Sequence, residues 1–181
     1  KIHPEIVSKF YGCGSPIPHA IKAATILDLG CGTGRDVYMA SAFIGSEGRA
    51  IGVDLTDVQL EVANRHKEFH MNQFGLTKDI YDFKKGTMED LKSIGIEDSS
   101  VDVVISNCVI NLSADKKSVI KEIWRVLKTG GELFFSDIFC DRRIPDYLKK
   151  DSMLWGECLS GALYIEDFRR IMEEVGFKTY Y

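Results

Sequence analysis

No apolar run in this sequence approaches the roughly 18 residues that a bilayer-spanning helix needs, and no charged stretch followed by an apolar one marks a signal peptide. A basic excess is missing too: Lys and Arg number 23 against 27 Asp and Glu, for a formal net charge of −4. Without a basic stripe, neither phosphate neutralisation nor attraction to anionic lipid has a surface to act on, so no nucleic-acid or membrane partner is expected. Proline is scarce, at 4 residues, and 45% of the 181 residues are hydrophobic. That balance excludes disorder and fibrous repetition. C-x-x-C pairs are also absent. The cysteines Cys13, Cys31, Cys108, Cys140 and Cys158 are widely spaced and odd in number. They read as free thiols in a reducing, cytoplasmic compartment, not as a disulfide framework.

What is present is an alternation of strand-like and helical patterns, the mark of an α/β fold with a mostly parallel sheet. Strands are expected at Thr25–Leu29, Arg49–Asp54, Asp82–Gly86, Val101–Ile105 and Glu132–Ile138. Between them, Val37, Ala40 and Ile44 mark one helix. Val58, Val62 and Phe69 mark the buried stripe of a second, opened by a Thr56/Gln59 capping box. Val119, Ile120, Ile123, Trp124 and Leu127 mark a third, ended by Gly130-Gly131. A last helix carries Phe168, Ile171, Met172 and Val175, and a further strand is expected to begin at Phe177. Residues 139–163 lack periodicity and are expected to form an irregular lid or binding segment. The chain reads as one domain over 1–181 with an N-terminal segment, 1–24, and as a catalytic core shortened at both ends.

The chemistry begins at Asp28-Leu29-Gly30-Cys31-Gly32-Thr33-Gly34, between the first strand and the first helix of the sheet. Glycines there let backbone approach a ligand, and the helix N-terminus behind them favours a negatively charged group. The spacing is G-x-G-x-G, not the G-x-G-x-x-G of dinucleotide folds. Asp54 follows Gly34 by 20 residues at the end of the second strand, where a carboxylate accepts from ribose hydroxyls. The loop with Asp54 points to a nucleoside-containing cofactor. On these residues the sequence resembles the class I S-adenosylmethionine-dependent methyltransferases, with a Rossmann-like sheet and helices on both faces, here without its final strands. The resemblance implies S-adenosylmethionine as cofactor, with Asp28, Gly30, Gly32 and Gly34 along its methionine and ribose portion and Asp54 on the ribose. It also implies Leu55 and Gln59 beside Asp54, Met88 and Glu89 toward the adenine, and Asn107 at the methionine end.

Three cysteines stand in distinctive phrases: Tyr11-Gly12-Cys13-Gly14, Ser106-Asn107-Cys108-Val109-Ile110-Asn111-Leu112, and Leu154-Trp155-Gly156-Glu157-Cys158-Leu159-Ser160-Gly161-Ala162-Leu163-Tyr164. In order and spacing these phrases resemble the arsenite methyltransferases along essentially the whole chain. Gly130-Gly131-Glu132-Leu133-Phe134-Phe135-Ser136-Asp137 adds to the likeness. The resemblance implies trivalent arsenic, as arsenite or methylarsenite, held by Cys13, Cys108 and Cys158, with Tyr11 near the sulfonium. It also implies a thiol reductant such as glutathione or thioredoxin, and a role in detoxification. Thiolates are the soft ligands that arsenic prefers. A pyramidal As(III) carries its own lone pair, so its methylation needs positioning and no general base. A monomer is expected, and Cys31 and Cys140 need only a structural role.

Two other readings stay open on the sequence: methylation of a small organic acceptor, and a non-catalytic arsenic- or metal-binding protein. A nicotinamide oxidoreductase fits worse because the glycine spacing differs. His66 and His70, in His-Lys-Glu-Phe-His, lack the order of the metalloprotease helix and read as packed or surface residues.

Overall fold

The computed structural model describes residues 1–178. Its main sheet contains β1 (Thr25–Leu29), β2 (Arg49–Asp54), β3 (Tyr81–Lys85), β4 (Val101–Asn107) and β5 (Leu127–Ser136), in the order β3-β2-β1-β4-β5. All four pairings are parallel. The strand order reverses between β1 and β4, so a crevice opens outside their carboxyl ends, where ligands bind in sheets of this kind. This is the Rossmann-like, parallel-sheet architecture that the sequence predicts.

The period of two along the strands builds a core on each face. Leu27, Leu29, Ile51, Val53 and Val104 point to one side. There they meet α5 (Lys116–Val126) through Val119, Ile120 and Ile123, and α8 (Ile165–Val175) through Phe168 and Met172. Ile26, Ala50, Val103 and Ile105 point to the other. On that side they meet α2 (Arg35–Ile44) through Val37, Tyr38 and Ile44, and α3 (Asp57–Arg65) through Leu60 and Val62. The N-terminal α1 (Pro4–Ser8) joins this second core through Ile6.

Several local expectations need correction. The helix after β2 is two helices, α3 and α4 (Lys67–Phe74), separated at His66, whose φ is −103° and ψ 12°. In α3, Leu60, Val62 and Ala63 are inside while Val58, in its first turn, is exposed; beyond the turn at His66, His70 is inside and Phe69 exposed. Thr56 makes no side-chain cap; its N–H instead donates to Asp54 Oδ1 at 2.9 Å. Gly130-Gly131 do not end α5, which stops at Val126 and turns directly into β5. Val101 pairs with Leu127 but Val103 with Glu132, and the glycine pair lies in that excursion. Segment 139–163 is partly regular: β6 (Phe139–Cys140) pairs in parallel with β7 (Leu163–Tyr164), and α6 (Asp146–Lys149) and α7 (Ser152–Gly156) lie between them. Phe177 and Lys178 have no regular structure, and the rest of the strand expected there lies outside the described residues.

Candidate active site

The glycine loop leaves β1 through Gly30, Gly32 and Gly34, all at positive φ, +69°, +52° and +83°. That conformation is open to glycine at no steric cost. The Gly30 and Cys31 N–H groups donate to the Val53 carbonyl at 2.8 and 3.0 Å, which fastens the loop to β2. A side chain on Gly32 would meet nothing within 4 Å, so this point of the loop faces open space. Asp54 Oδ2 accepts the Gly32 N–H at 2.9 Å, and Oδ1 accepts the Thr56 N–H. Each carboxylate oxygen keeps a further lone pair for a ligand hydroxyl. Asp54 is thus a brace between the loop and the start of α3.

Tyr11, Asp28, Gly30, Gly32, Gln59 and Asn107 line one cleft above this loop. Asp28 is fully buried, and its carboxyl is pushed well above the usual range, first by burial and then by the charges of Asp36 and Asp54. Leu55, Met88 and Glu89 are not among the residues that line this cleft. Leu55 is exposed, Met88 packs against the core on the α5 face, and Glu89 accepts a hydrogen bond from the Ser113 hydroxyl.

Asn107, the last residue of β4, organises the cysteines. Its Oδ1 accepts the N–H groups of Cys13 and Gly14 at 3.0 and 3.1 Å, while its Nδ2 donates to the Gly14 carbonyl and to Asp36 Oδ2, both at 2.8 Å. A Cβ on Gly12 would fall 2.9 Å from the Asn107 carboxamide and 2.5 Å from the Phe10 ring, so only glycine passes there. The N-terminal segment is thereby laid across the carboxyl end of β4, and Cys13 reaches the residue after Asn107.

Cys13 and Cys108 form a disulfide, with their Cα atoms 5.9 Å apart. This corrects the expectation of five free thiols. The sequence shows two cysteines 95 residues apart; the Asn107 carboxamide, bonded to both strands of chain, is what makes them neighbours. Cys31, Cys140 and Cys158 are free.

The third expected ligand arrives from the turn after α7. Cys158 is buried, and its Sγ donates to the Cys108 carbonyl at 3.0 Å. Cys108 and Cys158 have φ of 57° and 59°, two of the four non-glycine residues at positive φ among the described residues. Such backbone persists only where surrounding packing enforces it, and it concentrates at functional sites. Gly161 packs so closely that a Cβ there would lie 2.0 Å from the Asn111 carbonyl. Burial raises the Cys158 thiol above its ordinary range, Asp137 and Glu157 add to the rise, and Lys116 opposes it.

Sequence reasoning named no role for Asn111, Lys116, Asp137 or Glu157, yet all support this turn. Asn111 donates its N–H and its Nδ2 to Asp137, at 3.1 and 2.7 Å. The buried Lys116 ammonium donates to the Ser113 carbonyl at 2.8 Å and sits 5.5 Å from the Trp155 ring centroid. Glu157 Oε2 accepts the Tyr11 hydroxyl at 2.9 Å, joining the N-terminal loop to the Cys158 turn. The signal for Asn111, Asp137 and Glu157 lay in their position within the cysteine and glycine phrases themselves. Lys116 carried none, because a lysine at the start of a helix normally reads as solvated.

His70 is fully buried, stacks on Tyr38 at 3.7 Å and donates Nδ1–H to the His66 carbonyl. The packed reading of this histidine holds.

A sequence profile described as a methyltransferase domain matches residues 21–176. An arsenite methyltransferase of Aquipseudomonas alcaligenes is 48% identical over 98% of this chain and 51% of its own length. That of Mus musculus is 46% identical over 97% of this chain and 47% of its own. Among solved structures, an arsenic (III) S-adenosylmethionine methyltransferase from Chlamydomonas reinhardtii superposes with a TM-score of 0.94 at 48% identity, over 98% of this chain and 60% of that one. The chain therefore spans about half the length of the relatives it matches. Among the described residues no helix is long and apolar enough to cross a membrane.

Proposed function

Since this chain belongs to the methyltransferase-domain family, we propose that it serves transfer of the methyl group of S-adenosylmethionine to trivalent arsenic held by Cys108 and Cys158, with Cys13 as a third thiolate. The observation that carries this reading is the meeting of three cysteines from distant parts of the chain beside the glycine loop, at the switch point of the sheet. The names of the relatives support the same substrate.

The cleft fits the cofactor by its donor set. Gly32 leaves open space, Asp54 offers lone pairs to the ribose, and Tyr11 and Asn107 mark the end nearest the cysteines. When bound, S-adenosylmethionine supplies a methyl group activated on a sulfonium. Buried Asp28 and Asp36 hold the floor of the cleft, and Asn107 fixes the segment that carries Tyr11 and Cys13. Each thiol that binds arsenous acid displaces a hydroxyl, its proton leaving with that hydroxyl as water. Arsenic held by these thiolates carries its own lone pair, so no side chain would have to remove a proton from the nucleophile for it to accept the methyl group. What the protein contributes is alignment of two reactants.

The disulfide is the oxidised form of this site. Two electrons and two protons from a thiol reductant such as glutathione or thioredoxin return Cys13 and Cys108 to thiols, in keeping with a cytoplasmic protein that acts as a monomer.

The decisive experiment is single-turnover methylation of arsenite and of methylarsenite by the reduced protein, beside Cys108→Ser and Cys158→Ser. Both substitutions are expected to abolish transfer while cofactor binding remains. Transfer that survives both would sink the thiolate-ligand reading. Cofactor binding without retention of arsenite by the unaltered chain would point instead to an organic acceptor.

A further inference from the structure

Away from the glycine loop, a second group of metal-ligating side chains gathers where α1 meets the bend between α3 and α4. One ligand atom from each of His3, Glu5 and His66 lies within 4.8 Å of the other two. The His3 and His66 rings stack with centroids 3.7 Å apart, and His66 Nε2 meets Glu5 Oε2 at 2.7 Å. We propose that these three residues form a binding site for a borderline divalent transition-metal ion, with Zn²⁺ the best chemical match.

The arrangement is held from beneath. His3 is the N-cap of α1, and its backbone N–H donates to His70 Nε2 at 3.2 Å. His70, buried, donates its other ring N–H to the His66 carbonyl at 2.8 Å. One imidazole thus fixes the backbone of both candidate histidine ligands, the sort of outer support on which metal sites depend. Two imidazoles and one carboxylate are a donor set that zinc accepts, with a fourth position left for water. Calcium and magnesium call for an oxygen-rich shell, which is not what these residues offer.

Two cations and one capping bond oppose the site: His3 Nδ1 accepts the Glu5 N–H at 3.2 Å, a bond that gives way when the ring ligates an ion. Lys9 and Arg65 lie 2.9 and 3.3 Å from Glu5. Both reach Oε1, however, while Oε2 is the atom that faces His66. Both are also exposed pairs, the kind that contributes little and exchanges readily with solvent. Two ligand atoms at about 2.1 Å from a tetrahedral zinc are roughly 3.4 Å apart. The present spacings reach that value with side-chain adjustments on the order of 1 Å. Such an ion would clip α1 to the α3–α4 bend, and α1 leads into the segment that presents Tyr11 and Cys13.

Co²⁺ is the probe of choice, because its visible bands report coordination and a near-ultraviolet charge-transfer band reports any thiolate ligand. Titrated into the intact oxidised chain, it is expected to saturate at one ion per chain, without the charge-transfer band, and to be displaced by Zn²⁺. His66→Gln and Glu5→Gln are each expected to weaken binding by at least about tenfold, the scale at which even supporting partners act, with an unchanged far-ultraviolet spectrum. Arg65→Gln removes an opposing charge and no ligand, and is expected to tighten binding about two- to threefold. A gain of this kind does not follow from unfolding. A thiolate charge-transfer band, parental affinity in either ligand variant, no saturable binding, or no tightening in Arg65→Gln would each overturn the site.

Discussion

The Cys158 thiol donates to the Cys108 carbonyl at 3.0 Å, and both residues hold left-handed backbone, φ 59° and 57°. For a side chain with a Cβ this conformation costs on the order of 1 kcal/mol. Glycine adopts it freely. Cys158→Gly is therefore expected to be more stable than Cys158→Ala by about 1 kcal/mol, the reverse of the usual order for these two residues. Urea unfolding of the two variants reads the difference. An alanine variant as stable as the glycine one would mean that the turn relaxes and that no strain is held at this position.

The bond between Cys13 and Cys108 gives the site two states that a thiol count separates. In the unfolded, unreduced chain a thiol reagent is expected to find three free cysteines, Cys31, Cys140 and Cys158, and five after reduction. Arsenite should stay with the reduced chain through desalting and be lost from the oxidised one, since Cys158 alone offers a single sulfur. Elemental analysis of the desalted protein measures this directly. Equal retention in both states would place the arsenic away from Cys13 and Cys108.

Asn107 accepts two backbone N–H groups from the Cys13 segment and donates to that segment's carbonyl and to Asp36. These bonds hold Cys13 against Cys108, so they add to the effective concentration of one thiol at the other. At a net value of about 1 kcal/mol per hydrogen bond, Asn107→Ala is expected to lower the equilibrium constant for disulfide formation by roughly tenfold or more. Equilibration against glutathione buffers, followed by a count of free thiols, gives that constant. No change would show that the segment is seated by its other contacts.

How far these relationships can be read from sequence depends on whether they are local. β1 and β2 are bounded as expected because Gly30 and Asp54 mark their ends within the same few residues. The glycine loop is local too, and Gly32 meets Asp54 through the Gly32 N–H where β1 and β2 end. The misreadings arise where a local signal has two meanings. Gly130-Gly131 are good helix-ending residues, yet α5 had already ended at Val126, and the glycines serve a shift in register against β4. Val62 and Phe69 keep helical spacing on paper, but the turn at His66 breaks the phase between them, and only Val62 is buried. The disulfide is out of reach in another way. It depends on a carboxamide at the end of β4 bonding to a segment more than 90 residues earlier, which no spacing rule encodes.

Both ring nitrogens of His70 are committed, one donating to the His66 carbonyl and the other accepting from the His3 N–H, which requires the neutral ring. Burial, the largest cause, brings its pKa down to about 4 from the ordinary 6.5; the His66 and His3 charges add to this, and the bond to the His66 carbonyl opposes it. The unfolded chain therefore binds the proton more readily than the folded one between these two values. The stabilisation is fully present above pH 6.5 and is lost as pH falls toward about 4. A shift of this size corresponds to on the order of 3 kcal/mol. His70→Phe keeps the stack on Tyr38 but cannot take a proton. It is expected to be less stable than the parent at pH 7, where two hydrogen bonds are missing, and to lose less stability between pH 7 and pH 5. Urea midpoints at the two pH values check both halves. A variant whose stability falls as steeply as the parent's would assign the acid sensitivity to other groups.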